Sequence, residues 1–233
     1  MHSRWKEIWE KKSLDIIDKD ESILNNLLKL DGFDSGFNTL NEEIWMKYTS
    51  YITDILKIKK EFSIFEVGCG SGAFLYPFYC DHHNIGGIDY SRALIEASNY
   101  YMPKGSFLED EAINLSTNEK FDIVLSNGVF LYFPNYEYSR MVLTKMVEKA
   151  KYSVAILEVS DLDTKEEALN MRKSLMSEEE YHKRYDGLDH LYYSQTWFTE
   201  LAEELNCDIE IRKQNIRNYP NNLFRFNVFM NKR

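Results

Sequence analysis

One short stretch, Phe65-Glu66-Val67-Gly68-Cys69-Gly70-Ser71-Gly72, holds residue types that could bind the polar part of a nucleotide-like ligand. The apolar run Phe62 to Val67 ahead of it predicts a strand, and Ala73-Phe74-Leu75-Tyr76 behind it predicts a helix start. Backbone without side chains can approach a ligand closely, and N–H groups at a helix start face it. A second carboxylate, Asp89, closes Gly86-Gly87-Ile88-Asp89-Tyr90-Ser91, where it can accept hydrogen bonds from both hydroxyls of a ribose. These features serve a dinucleotide as well as any other ribose-bearing cofactor, because Gly68-x-Gly70-x-x-Ala73 also satisfies the relaxed dinucleotide pattern. Glu66 tilts the balance away from a dinucleotide, whose strand usually keeps an apolar residue at that place. The chain is also short for a separate dehydrogenase substrate domain.

Two further motifs follow in order, Leu108-Glu109-Asp110-Glu111-Ala112-x-x-Leu115 and Phe121-Asp122-Ile123-Val124-Leu125-Ser126-Asn127. With the glycine stretch and Asp89, they resemble the four motifs of the class I S-adenosylmethionine-dependent methyltransferases over about residues 60–160. That resemblance implies S-adenosyl-L-methionine as cofactor and S-adenosyl-L-homocysteine as product. It implies that Glu66, Gly68, Gly70 and Gly72 form the donor loop and that Asp89 and Tyr90 lie at the ribose. Asp110, Glu111 and Ala112 would lie at the adenine, with Glu111 favoured over Asp110 as the acidic partner of its amino group. Ser126 and Asn127 would end the fourth strand near the reactive methyl.

Methyl transfer asks the protein to align an acceptor and, for a hydroxyl, to remove its proton. The densest group of polar aromatics and titratable residues is Tyr181 to Tyr193, which contains Tyr185, His190, Tyr192 and Tyr193. His190 beside Asp189 is the candidate general base; the alternative is a structural histidine capping the following turn. Tyr132, Tyr185, Tyr192, Tyr193 and Arg225 are candidate acceptor-binding residues. Arg225 with Arg217 and Tyr219 suits an anionic or polyhydroxyl acceptor. If that acceptor were a phosphoryl oxygen, no base would be needed and His190 would bind substrate. Ser126 to Pro134 lacks the run that grips a base nitrogen in DNA amino-methyltransferases, and the net charge of −10 repels phosphate backbones; both argue against nucleic acid. No metal site is expected: Asp161 and Asp163 read as helix-capping residues. Arg4 or Lys6 could meet the donor carboxylate, and Trp5 and Trp9 could close over it. The stretch from Tyr181 through Phe226 resembles methyltransferases of capsule and surface-polysaccharide biosynthesis, including those linked to O-methyl phosphoramidate decoration. This implies O-methylation of a sugar or phosphoryl intermediate. N-methylation of a small amine and a donor-binding protein without catalysis stay open.

Short apolar strands alternating with helices from residue 62 onward must position these groups. The pattern predicts an α/β, Rossmann-like fold: a mostly parallel sheet covered on both faces. The resemblance implies seven strands in the order 3-2-1-4-5-7-6. Strands are expected at Phe62–Val67, Ile85–Asp89, Gly105–Glu109, Phe121–Ser126, Ser153–Val159, Asp208–Lys213 and Leu223–Met230. Helices are expected at Asn41–Lys57, Gly72–Cys80, Arg92–Tyr101, Tyr136–Lys151 and Thr196–Leu205. Residues 1–58 read as an N-terminal helical cap, 59–233 as the catalytic domain, and about 160–195 as a lid over the acceptor. Hydrophobic residues make up 44% of the chain, enough for a core. Cys69, Cys80 and Cys207 fit reduced thiols better than disulfides. With no apolar leader and no apolar run of membrane-spanning length, a cytoplasmic protein without membrane insertion is expected, its oligomeric state open.

Overall fold

The computed structural model describes residue 9, residues 18–33 and residues 40–233. Two helices, α1 (Ile23–Leu30) and α2 (Glu42–Leu56), precede a strand–helix alternation. It runs β1 (Ile64–Val67), α3 (Tyr76–Cys80), β2 (Ile85–Asp89), α4 (Arg92–Tyr101), β3 (Ser106–Glu109), β4 (Phe121–Asn127), α5 (Tyr136–Lys149) and β5 (Ala150–Ser160). Helices α6 (Lys165–Ser174), α7 (Glu178–Tyr185) and α8 (Gln195–Glu204) then lead to β6 (Cys207–Lys213) and β7 (Arg225–Lys232).

The seven strands form one sheet in the order β3-β2-β1-β4-β5-β7-β6. β7 lies antiparallel to both β5 and β6, while the pairings among β1 to β5 are parallel. Period-2 alternation sends Ile123, Leu125, Ala155 and Leu157 into one apolar layer and Val124, Val154 and Ile156 into the other. α1 and α2 complete the first layer through Leu24, Leu27, Leu28 and Trp45; α5 and α8 complete the second through Val142, Leu143, Phe198 and Leu201. The Trp45 indole is fully buried, and its Nε1–H donates to the Ala73 carbonyl at 2.9 Å. That bond fastens the N-terminal helices to the turn after β1.

Helix starts follow the capping residues. Ser22, Asn41, Asn135 and Ser194 each accept a backbone N–H from the first turn that follows. The helix expected from Gly72 begins only at Tyr76. Gly72 has φ +84°, outside helical space, and Pro77 in the first turn supplies no N–H of its own. The helix expected to reach Lys151 stops at Lys149, because β5 starts at Ala150 and extends to Ser160, longer at both ends than its apolar run. A register shift between Ile156 and Val159 interrupts the β5–β7 ladder, and Glu158 there has φ +62°. The polar segment after β5 is largely helical, held by a capping box in which Ser177 and Glu180 satisfy each other's backbone N–H. Among the described residues, no helix is long and apolar enough to cross a membrane.

Candidate active site

The glycine stretch turns sharply at the end of β1. Gly68, Gly70 and Gly72 all have positive φ, at +73°, +53° and +84°. A Cβ at Gly70 would stand 2.4 Å from Asp31 Oδ1, and one at Gly68 would stand 2.4 Å from Val129 Cγ2. The loop is tied to β2 by Gly68 N–H donating to the Ile88 carbonyl at 2.8 Å and by Gly70 N–H donating to Asp89 Oδ2 at 3.0 Å. Asp89 Oδ1 accepts the Ser91 N–H at 2.8 Å, so backbone N–H groups hold both oxygens of the Asp89 carboxylate.

Asp31, just past α1, was not singled out from the sequence. Its Oδ1 accepts the Ser71 N–H at 2.7 Å, and its Oδ2 faces the Ala73 N–H at 3.4 Å. Ser71 Oγ donates to the Leu27 carbonyl at 3.0 Å, so α1 grips the loop twice. The available signal is an acid closing an apolar helix, Ile23 to Leu30, where the helix dipole disfavours negative charge.

Asp31, Glu66 and Asp89 thus approach the loop from three elements. Desolvation raises Asp31 to about 7 and Asp89 to about 6, against backbone hydrogen bonds that lower both. Glu66 is 2% exposed, and burial, then the charges of Asp31 and Asp89, push its carboxyl well above the ordinary range. Among the described residues, Glu66 Oε2 has no hydrogen-bond partner. A buried carboxylate oxygen without a donor is costly unless a ligand supplies one.

Just past β3, Asp110 N–H donates to the Asp89 carbonyl at 3.0 Å, holding the β3 end against β2. Asp110 Oδ1 accepts from Glu111 N at 2.8 Å and Asn114 Nδ2 at 2.6 Å, so this carboxylate caps its own turn. Glu111 precedes the short 3-10 turn Ala112–Asn114 and lies near enough to Asp89 to raise its pKa. Tyr90 is half-buried beside Asp89.

Beyond the loop, the ends of β4 and β5 carry a buried polar chain. Ser126 Oγ donates to the Val67 carbonyl at 2.8 Å; Ser126 is fully buried and braces β1 against β4. Asn127 Oδ1 accepts from the Tyr48 hydroxyl of α2 at 3.3 Å. Gln214 Nε2 reaches the Tyr48 hydroxyl and Glu158 Oε1, each at 3.4 Å, while its Oε1 accepts from Asn227 Nδ2 at 2.7 Å. Glu158 Oε2 pairs with Arg225 Nε at 3.4 Å, both side chains nearly excluded from water, at an angle that leaves no hydrogen bond to that nitrogen. Tyr48, Gln214, Glu158 and Asn227 escaped sequence reasoning, since nothing local marks a glutamate or glutamine as part of a long-range network.

His190 joins this region. Its Nδ1 lies 3.1 Å from Arg172 Nη2, a guanidinium that can only donate. The ring lies edge-on to Tyr132, with centroids 5.4 Å apart, and Arg172 also stacks on Tyr185 at 5.0 Å. Burial, then Arg172 and Arg225, hold His190 well below the ordinary histidine range, so it is neutral at pH 7. Tyr132 is pushed up to about 12, chiefly by burial, and its ring meets Trp9 at 5.8 Å.

The structure therefore brings Tyr132, Tyr185, His190 and Arg225 together and adds Arg172. It does not bring Tyr193, which is fully buried, its hydroxyl donating to the Phe130 carbonyl at 2.9 Å and lying 2.6 Å from Ser139 Oγ. Tyr192 is buried too, its ring facing Lys165 at 5.3 Å and its carbonyl accepting from Tyr136. Asp161 accepts the Asp163 N–H at 3.0 Å as the cap of a 3-10 turn. Arg4, Lys6 and Trp5 lie outside the described residues.

Residues 64–153 match the family model of the methyltransferase domain. The matched segment runs from β1 into β5, and the fold of the whole sheet is similar to that of solved methyltransferases. Magnesium protoporphyrin IX methyltransferase from Synechocystis PCC 6803, solved with bound SAH, is similar at 13% identity with a TM-score of 0.61; the alignment covers 91% of this chain and 98% of that one. The N-methyltransferase NodS from Bradyrhizobium japonicum WM9, also with SAH, is similar at 14% identity and TM-score 0.62, covering 91% and 99%. The plantazolicin methyltransferase BpumL, in complex with a pentazolic desmethylPZN analogue and SAH, aligns at 20% identity and TM-score 0.60, covering 81% and 82%. No curated protein matches the chain in sequence.

Proposed function

We propose that the protein transfers a methyl group from S-adenosylmethionine to an oxygen of a small anionic acceptor. The donor half fits the residues present: a loop that tolerates no Cβ at Gly68 or Gly70, a ribose-side carboxylate at Asp89, and an unsatisfied oxygen on Glu66. When bound, the donor supplies a methyl already activated on a sulfonium. The residues around it must bind, align and exclude water.

The observation that carries the acceptor class is the pairing of His190 with Arg172 beside the buried Arg225. Arg172 donates into His190 Nδ1, which leaves the ring proton on Nε2 and no lone pair to take a proton from a substrate. His190 is then a neutral hydrogen-bond donor, and the two guanidiniums orient an anion. An ionised phosphoryl or carboxylate oxygen carries no proton, so no general base is required. A protonated amine beside two guanidiniums is disfavoured. Phosphorylated or phosphoramidate-bearing sugars of surface polysaccharides, which the sequence resemblance implies, are the first acceptors to test. The helices α6 and α7, which supply Arg172 and Tyr185, act in this reading as the acceptor lid. The N-terminal helices act as the cap over the donor.

The test is release of S-adenosylhomocysteine with nucleotide sugars, phosphoramidates, phosphate esters and small amines. Turnover is expected with an anionic class, abolished by Asp89→Ala. Arg172→Gln should lower kcat/KM roughly 10- to 100-fold, the worth of one hydrogen bond to a charged group. Turnover with amines alone would contradict the acceptor class.

A further inference from the structure

We infer that Asp31, which lies outside the matched segment 64–153, belongs to the donor site: in the ring of acids that it forms with Glu66 and Asp89, Asp31 and Glu66 hold the ammonium of the donor's amino-acid end, while Asp89 keeps the ribose. The inference rests on the donor reading above and goes beyond it by assigning a residue from the N-terminal helices.

Successive N–H groups at a turn before a helix ordinarily attract an anion. Here the chain supplies that anion itself, since Asp31 takes the Ser71 N–H at 2.7 Å and lies 3.4 Å from the Ala73 N–H. This end of the loop is therefore closed to a ligand carboxylate and lined with negative charge. The charges that raise Glu66 are both carboxylates, Asp31 and Asp89. Three acids gathered around one loop repel each other unless protons or a cation join them, and a bound cation lets them stay ionised. Glu66 Oε2, buried and without a hydrogen-bond donor among the described residues, shows where a donor group is lacking. Asp31 cannot swing away to relieve the repulsion. It is held by the loop, and the loop is held to α1 through Ser71 Oγ and the Leu27 carbonyl. A ligand ammonium supplies both the charge and the N–H groups that the ring lacks.

The experiment is equilibrium titration of the full chain with S-adenosylhomocysteine and with 5′-methylthioadenosine, which shares the nucleoside but has no amino-acid end. Asp31→Asn keeps an oxygen for the Ser71 N–H and removes the charge. It should weaken S-adenosylhomocysteine at least about 10-fold and leave 5′-methylthioadenosine within about twofold, with Glu66→Gln behaving alike. An equal loss for both ligands would show that Asp31 only shapes the loop and would overturn the inference, as would an unchanged affinity for S-adenosylhomocysteine. A wild-type chain that binds neither nucleoside would instead defeat the donor reading, and the inference with it.

Discussion

At the scale of single residues, the distinctive group is His190, whose chemistry is set by its partner. Standing alone in sequence beside Asp189, it reads as a general base. In the fold its Nδ1 accepts from Arg172, and burial holds its pKa far below the ordinary value. Because the depressed pKa keeps His190 neutral throughout, the profile is flat from about pH 6.5 to 9 in the wild type for either role, base or donor. His190→Gln, which keeps an N–H donor, should retain kcat within about 10-fold in the donor role, whereas losing a base would cost about 10²- to 10⁴-fold, so the steady-state rate of the variant decides between the two. Gly70 provides a second residue-scale test. Gly70→Ala places a methyl against Asp31 in backbone of positive φ, so it should abolish donor binding and lower the unfolding midpoint.

At the scale of elements, the sheet was the most legible part, because buried parallel strands read as continuous apolar runs. The ends were less so. Gly72 and Pro77 delay α3 by a turn, and β5 runs into the polar residues on either side of its apolar stretch. The carboxylates Glu66 and Asp89 at the glycine loop were visible because each stands at a strand position with a local pattern. Asp31, Tyr48, Glu158 and Gln214 were not, since the bonds that join Asp31 to Ser71, Tyr48 to Asn127 and Gln214 to Glu158 span about 40 or more residues and no local periodicity encodes such contacts. The N-terminal helices have their own test in Trp45, whose indole N–H is joined to the Ala73 carbonyl. Trp45→Phe leaves that carbonyl without its donor and should cost about 1–3 kcal/mol in urea unfolding, with weaker donor binding through the loop it anchors. A loss below about 0.5 kcal/mol would mean that the bond carries no coupling between cap and loop.

At the scale of the whole molecule, the acids around the loop make ligand-free stability depend on pH in an unusual sense. Folding raises Asp31 from 3.8 to about 7 and Asp89 from 3.8 to about 6. Between those limits the folded protein holds protons more tightly than the unfolded chain, so this contribution to stability falls as pH rises and levels off above about 7. Asp31→Asn removes its share. The variant's melting temperature should therefore drop less than the wild type's between pH 5 and 7.5, and equal drops would contradict the burial of a charged Asp31. The same ring, the glycine loop and Asp89 bear on the central claim, that this site is built for S-adenosylmethionine and not for a dinucleotide. Calorimetric titration of the full chain with S-adenosylhomocysteine and with NAD is the most direct measurement. One S-adenosylhomocysteine per chain, lost in Asp89→Ala, with no heat from NAD, is the expected result; saturable binding of NAD, or of neither ligand, would contradict it.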